Sequence, residues 1–120
     1  MGTRDTQEQL VPLGEGEVRS LVGELRAQLG ATYGPRLHAL VFYGSYARGQ
    51  ARSGSDVDVA VVLEDFERSW PEIDRTGSLV AGLSLKYGTT VSLIPIRRRD
   101  WELKRTRLAR SLDREGLLVG

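Results

Sequence analysis

Two acidic residues, Asp56 and Asp58, are the clearest candidates for a chemical role in this sequence, because one residue separates them at the start of an apolar run. In a β-strand successive side chains point to opposite faces, so both carboxylates lie on one face while Val57 and Val59 lie on the other. Neighbouring carboxylates repel each other unless a cation neutralises them, and their hard oxygen atoms suit Mg²⁺ or Mn²⁺. The pair therefore predicts a divalent-metal site.

A glycine-serine pair, Gly44-Ser45, follows the preceding apolar run at 37–43 and fits a phosphate site. Mg²⁺ in proteins is usually held by one or two carboxylates together with substrate phosphates, so phosphates are expected near the acidic pair. Glycine lets the backbone approach a ligand, and a short helix beginning at Ser45 would direct free N–H groups at a phosphate. Arg48 and Arg52 would add charge-assisted hydrogen bonds to phosphate oxygens.

Each of these features also has an ordinary structural interpretation. A Gly-Ser pair between two apolar runs is typical of a plain turn, and an Asp-X-Asp pair at the start of a strand is often simply solvated. The two features occur together and in an order that suits one ligand, which favours a site.

The combined motif resembles the signature of the minimal nucleotidyltransferases of the DNA polymerase beta superfamily. The matching segments are Gly44-Ser45, then Ala47-Arg48-Gly49 and Ser55, and, ten residues after the glycine-serine pair, Asp56-Val57-Asp58. The resemblance covers nearly the whole chain and implies that the glycine-serine pair holds a nucleoside triphosphate and that the aspartates bind the metal. On this basis the predicted nucleotide-binding residues are Gly44, Ser45, Arg48 and Ser55, and the predicted catalytic and metal-binding residues are Asp56 and Asp58.

The resemblance also implies a function and an alternative to it. Members of the superfamily either transfer a nucleotide to an acceptor or act as the antitoxin partner of a HEPN-type toxin, in some cases by adenylylating it. We therefore expect transfer of a nucleoside monophosphate, AMP from ATP, to a hydroxyl acceptor such as a partner protein, with Mg²⁺ or Mn²⁺. The alternative is a catalytically weak binding module that neutralises a HEPN-type toxin.

Ser92 is the position at which the chain departs from the family pattern. The corresponding strand of the family usually carries a third carboxylate in a Val-Asp-Leu tripeptide, and the matching tripeptide here is Val91-Ser92-Leu93. A serine hydroxyl supplies no negative charge and is not a base near neutral pH. Serine at this position weakens a two-metal site more than it weakens the binding of a metal-bound nucleotide. It therefore favours the catalytically weak binding module over the transferase.

Apolar spacing predicts the elements that position these residues. Residues 15–29 have the spacing of an amphipathic helix ended by Gly30, and strands are predicted at 37–43, 56–63 and 89–96. The helix predicted before Gly88 is long enough for a crossover between parallel strands. The expected fold is α/β (α+β), a small mixed sheet with helices packed on one side, as in the polymerase beta-like nucleotidyltransferases. Residues 117–119 could add a short strand to the sheet or dock on a partner.

Composition bounds the remaining possibilities. A chain of 120 residues that is 40% hydrophobic predicts one domain, which we place at 15–120 after a flexible N-terminal arm at 1–14. The absence of cysteine excludes disulfide and zinc-thiolate sites. No apolar run has the roughly 20 residues needed to span a bilayer and the N-terminus is not signal-like, so a cytoplasmic protein without membrane contact is expected.

A basic segment, residues 97–114, contains eight basic and three acidic residues. It could bind the phosphates of RNA or an acidic partner, but it equally fits the solvated face of a helix. The one aromatic residue of the segment, Trp101, is expected on the buried side of that helix and not as a stacking platform for bases, and the net charge of the chain is only +1. The solvated face is therefore favoured over RNA binding.

Overall fold

The computed structural model describes residues 11–119 and contains one four-stranded sheet with the order β3-β2-β1-β4. Its strands are β1 (Leu37–Tyr43), β2 (Val57–Leu63), β3 (Val91–Arg97) and β4 (Leu117–Leu118). Strand β1 is antiparallel to both β2 and β4, whereas β2 and β3 are parallel. The predicted α/β class with a small mixed sheet is therefore confirmed, including the short C-terminal strand.

Within residues 11–119, five helices and a short turn precede or connect these strands. The helices are α1 (Glu15–Tyr33), α2 (Gly44–Ala47), α3 (Ser69–Tyr87), α4 (Arg98–Glu102) and α5 (Arg107–Glu115), and a 3-10 turn spans Gly34–Arg36. Helix α1 continues past Gly30, where the sequence predicted its end, because Leu29 and Tyr33 extend its buried stripe. It ends instead at Gly34, whose φ of +55° is unfavourable for other residues.

One face of the sheet is closed by the two long helices, α1 and α3. Alternate residues of β2 point to this side, where they are less than 2% exposed, and α1 packs its leucines against them. The strand residues involved are Val57, Val59, Val61 and Leu63. This core is the main hydrophobic cluster of the described residues and holds β2 rigidly in place.

The opposite face of the sheet is also covered, which corrects the prediction that helices pack on one side only. Ala60 and Val62 point to this face and pack with Ala109 and Leu112 of α5. A parallel pair such as β2-β3 usually needs cover on both faces, and β2 is apolar at every position except Asp58. The cover is incomplete, however, since α4 and α5 are short. Asp58 alternates with Ala60 and therefore lies on this partly open face.

Residues 1–10 of the predicted N-terminal arm lie outside the described residues. Of the rest of that arm, Leu13 packs against the main core and its N–H donates to the Tyr46 hydroxyl at 2.9 Å. The domain boundary at residue 15 stays a prediction. No helix within residues 11–119 has both the length and the apolar character that a bilayer crossing requires.

Candidate active site

Gly44 and Asp58 are direct neighbours, which places the glycine-serine turn beside the acidic pair. Tyr43 at the end of β1 pairs with Asp58 in the antiparallel register, and Gly44 opens α2 immediately afterwards. The φ of Gly44 is +82°, and a Cβ at this position would collide with the Asp58 carboxylate. Both conformation and space therefore require glycine here.

The two aspartates experience different surroundings on the same face. Asp56 is exposed just before β2, whereas Asp58 is half-buried within it. Burial raises the pKa of the Asp58 carboxyl, the nearby charge of Asp56 raises it further, and the Arg48 guanidinium lowers it. Repulsion between the carboxylates is therefore only partly offset by protein charge, and a hard divalent cation with oxygen ligands fits this donor set.

Ser92 is the register partner of Asp58 on β3. Partners on adjacent strands share a face of the sheet, so the hydroxyl lies on the side that carries the acidic pair. Within residues 11–119 no group of three or more His, Cys, Asp or Glu side chains is arranged to hold a metal. A cation bound here would therefore have two protein carboxylates, and other oxygen atoms would have to complete its coordination.

An open cleft of about 660 Å³ is formed by α2 and the loop that follows it. Its lining reaches Ser55, the residue before Asp56, but includes neither aspartate. Its lining includes three of the four predicted nucleotide-binding residues, Ser45, Arg48 and Ser55, together with Gln50, Ala51 and Arg52. The volume is in the range of small-molecule sites, roughly 300–1,000 Å³. Helix α2 has four residues, so all its N–H groups belong to a first turn without acceptors inside the helix.

Ser55 fixes the loop that leads into the acidic pair. Its Oγ accepts a hydrogen bond from the Arg52 N–H at 2.8 Å, and its own N–H donates to the Arg52 carbonyl at 3.0 Å. Gly54 has a φ of +82° in the same turn. The serine hydroxyl still has its hydrogen available for a ligand, while the turn sets the position from which Asp56 follows.

The site includes two residues, Glu115 and Tyr43, that sequence reasoning did not identify. Glu115 of α5 accepts a hydrogen bond from Arg48 Nη1 at 3.2 Å, and no local signal could have indicated it because 67 positions separate the two residues. Burial and the charge of Asp58 raise the pKa of Tyr43 to about 12, so its phenol stays neutral at physiological pH. Tyr43 directly precedes the predicted motif, but its electrostatic role depends on the register of β1 with β2.

Four of the eight basic residues in the segment 97–114 form ion pairs with acidic residues, among them Arg105 with Asp100 at 4.0 Å. Arg97 pairs with Asp65 and Asp100, and Arg98 pairs with Glu64 and Glu102. Lys104 pairs with Asp113 on α5. These pairs favour the interpretation of the segment as a solvated face, and nothing in the described residues adds support for RNA binding.

Comparison with protein families gives a match to the nucleotidyltransferase domain at residues 23–109. A protein of Methanocaldococcus jannaschii, whose name proposes that it is a protein adenylyltransferase, is 30% identical over 93 residues. That alignment covers 75% of this chain but 62% of the relative, so the chain spans less than two thirds of the relative's length.

Solved structures share the fold at low sequence identity. A Sulfolobus solfataricus protein described as a candidate nucleotidyltransferase superposes with a TM-score of 0.61 and 16% identity, covering 95% of this chain and 84% of its own. A chain from the complex of a tri-AMPylated HEPN toxin of Shewanella oneidensis with its MNT antitoxin gives a TM-score of 0.50 and 19% identity, with 83% and 70% coverage. Since the family match includes the turn, the cleft and the acidic pair, this chain belongs to the nucleotidyltransferase domain family.

Proposed function

We propose that this protein transfers AMP from ATP to a hydroxyl group of a partner protein, with Mg²⁺ or Mn²⁺ held by Asp56 and Asp58. The observation that carries the proposal is the close approach of the Gly44 turn to the Asp58 carboxylate. A cation on the aspartates and a triphosphate in the adjoining cleft would then be neighbours, which is how Mg²⁺ is commonly shared between protein and nucleotide.

The reaction is an in-line displacement at the α-phosphorus of ATP. The acceptor oxygen forms a new bond to phosphorus, the bond from phosphorus to the oxygen bridging the β-phosphate breaks, and pyrophosphate leaves. The hydroxyl proton passes to water, because Ser92 cannot accept it near neutral pH. Catalysis of this kind depends on positioning and on stabilising charge rather than on a protein nucleophile.

Each residue of the site has a defined role in this proposal. Gly44 and Ser45 hold the β- and γ-phosphates, with Arg48 neutralising their charge. Ser55 keeps the loop in place and offers its hydroxyl hydrogen to the nucleotide. When bound, the divalent ion would polarise the phosphoryl oxygens as a Lewis acid and neutralise the developing charge.

The relatives support AMP as the transferred group and a protein as the acceptor. The name of the Methanocaldococcus jannaschii relative proposes protein adenylylation, and the Shewanella oneidensis complex contains an AMPylated HEPN toxin. A HEPN-type helical protein is therefore the partner that we propose for this chain.

The second candidate function is a binding module that neutralises a HEPN-type toxin with little or no transfer. Ser92 beside Asp58 favours it, because the site offers two carboxylates where the family pattern has three. The two candidates share a partner and differ in whether AMP becomes covalently attached to it.

The decisive experiment is to incubate the purified protein with a HEPN-type protein from the same organism, ATP and Mg²⁺, and to measure intact masses. We expect an AMP adduct on the partner that disappears with EDTA and with the Asp56→Asn variant; parallel reactions with Mn²⁺ and with other nucleoside triphosphates define the metal and the base. A stable complex without adduct would favour the binding module. If the two proteins form neither a complex nor an adduct, both candidate functions are wrong.

A further inference from the structure

Arg48 is held from two sides at the wall of the cleft. Its Nε donates to Gln50 Oε1 at 3.2 Å, and its Nη1 donates to Glu115 Oε1 at 3.2 Å. The side chains of the ion pair are 41% and 34% exposed, so the guanidinium is accessible while two of its three nitrogens are engaged. Gln50 comes from the loop of the cleft itself, whereas Glu115 is the last residue of α5.

Glu115 is fixed in place by the packing of Gly116 against the sheet. The Gly116 N–H donates to the Leu112 carbonyl at 2.8 Å and closes the end of α5. A Cβ on Gly116 would collide with the side chain of Val41 and would lie 2.5 Å from the Leu112 oxygen. Val41 belongs to β1, the strand that runs directly into Gly44, so Glu115 and the phosphate turn share one rigid support.

The position of Arg48 gives a physical reason for this restraint. Arg48 caps the four-residue helix that Gly44 opens, and Gly44 lies against the Asp58 carboxylate, so the guanidinium is carried on the element next to the acidic pair. An unrestrained arginine near two carboxylates would be attracted to them and would compete with the cation for the same oxygens. Glu115 and Gln50 instead retain the guanidinium on the cleft side.

We propose that Glu115 is a positioning residue that acts through Arg48 to present the guanidinium to the triphosphate. The inference rests on the proposed function, since it assigns that site a further residue. Of the five N–H groups of a guanidinium, two are engaged, which leaves three for phosphate oxygens, including both on Nη2. Holding the side chain beforehand removes part of the rotamer entropy that binding would otherwise cost.

Binding of ATP with Mg²⁺, measured by isothermal titration calorimetry, tests the proposal through two substitutions at one position. Glu115→Gln keeps an oxygen that accepts from Arg48, whereas Glu115→Ala removes it, and both remove the same negative charge. We expect the alanine variant to bind ATP about three- to tenfold more weakly than the glutamine variant. The difference should shrink for AMP, which lacks the β- and γ-phosphates.

Asp113→Ala is the matched control, because Asp113 lies on the same helix and pairs with Lys104 at 3.1 Å without contacting Arg48. It should leave the affinity for ATP unchanged. In an Arg48→Ala background, Glu115→Ala should have no further effect, since the interaction that it removes is already absent.

The results separate this inference from the proposed function. If the parent binds ATP but the alanine and glutamine variants bind equally well, the positioning role is wrong while the nucleotide site stands. An effect of Glu115→Ala that persists unchanged without Arg48 would also overturn the role. If the parent does not bind ATP at all, the nucleotide site and the positioning role both fail.

Discussion

The two faces of β2 meet different requirements with residues that alternate along one strand. Toward α1 and α3, Val57, Val59 and Val61 are buried completely or almost so. Toward the other face, Ala60 and Val62 are covered by α5, but Asp58 is half-buried at the uncovered end, against Gly44. The closed face fixes the strand, and the open face uses that rigidity to hold a carboxylate at a defined point.

Buried charge is treated differently on the two sides. Between α1 and α3, Glu72 is 6% exposed, and its carboxylate accepts a hydrogen bond from the Tyr33 hydroxyl at 2.9 Å. Asp58 receives no such donor from the residues that the structure describes, and burial together with Asp56 raises its pKa. The closed face satisfies its polar group internally, whereas the open face leaves an electrostatic cost that a bound cation would relieve.

The largest effect should come from Asp58→Asn, which changes the open face alone. We expect the transfer rate to fall by about 10²–10³-fold or more, because an amide cannot supply the charge that holds the cation. The free energy of unfolding should stay the same or rise slightly, since burial and Asp56 both disfavour the native carboxylate. Adduct formation by mass spectrometry and urea denaturation measure the two quantities, and a variant as active as the parent would contradict the assignment of the site.

The opposite result is expected for Leu63→Ala, which changes only the closed face. Leu63 is 0% exposed in the main core, so its truncation should lower the free energy of unfolding by about 2–5 kcal/mol. Calorimetric affinity for ATP, measured where the variant is still folded, should match that of the parent. Loss of ATP binding without loss of stability would show that the two faces are not separable in this way.

The sequence was sufficient to predict those features of the fold and the site that depend on residues close together in the chain. Alternation along β2 predicted which residues would be core, and the motif predicted that Gly44 would lie near Asp58, as the register of β1 with β2 confirms. The second layer of helices was missed because the apolar residues of α5 show a helix without showing which face of the sheet it covers. Glu115 was missed for the same reason, since its contact with Arg48 depends on how the C-terminal helix is seated on β1.

Of the three substitutions on β2 and β3, Ser92→Asp should have the smallest effect. Ser92 pairs with Asp58 in the parallel register, so an aspartate there would add a third carboxylate to the open face. It could help hold the cation and accept the proton of the acceptor hydroxyl, for which well-placed bases contribute about 10²–10⁴-fold. We expect a gain of about tenfold in the rate of AMP transfer, because the position has not been optimised for this role.

A Ser92→Asn variant separates charge from shape in this experiment, since asparagine has nearly the same size as aspartate but cannot act as a base or supply a negative charge. Only the aspartate should raise the rate, and without added metal it should also lower the thermal stability, because a third carboxylate would then repel the other two. Addition of Mg²⁺ should restore that stability. If asparagine and aspartate behave alike, the limit on transfer lies elsewhere, and two carboxylates are the complete acidic set that this site needs.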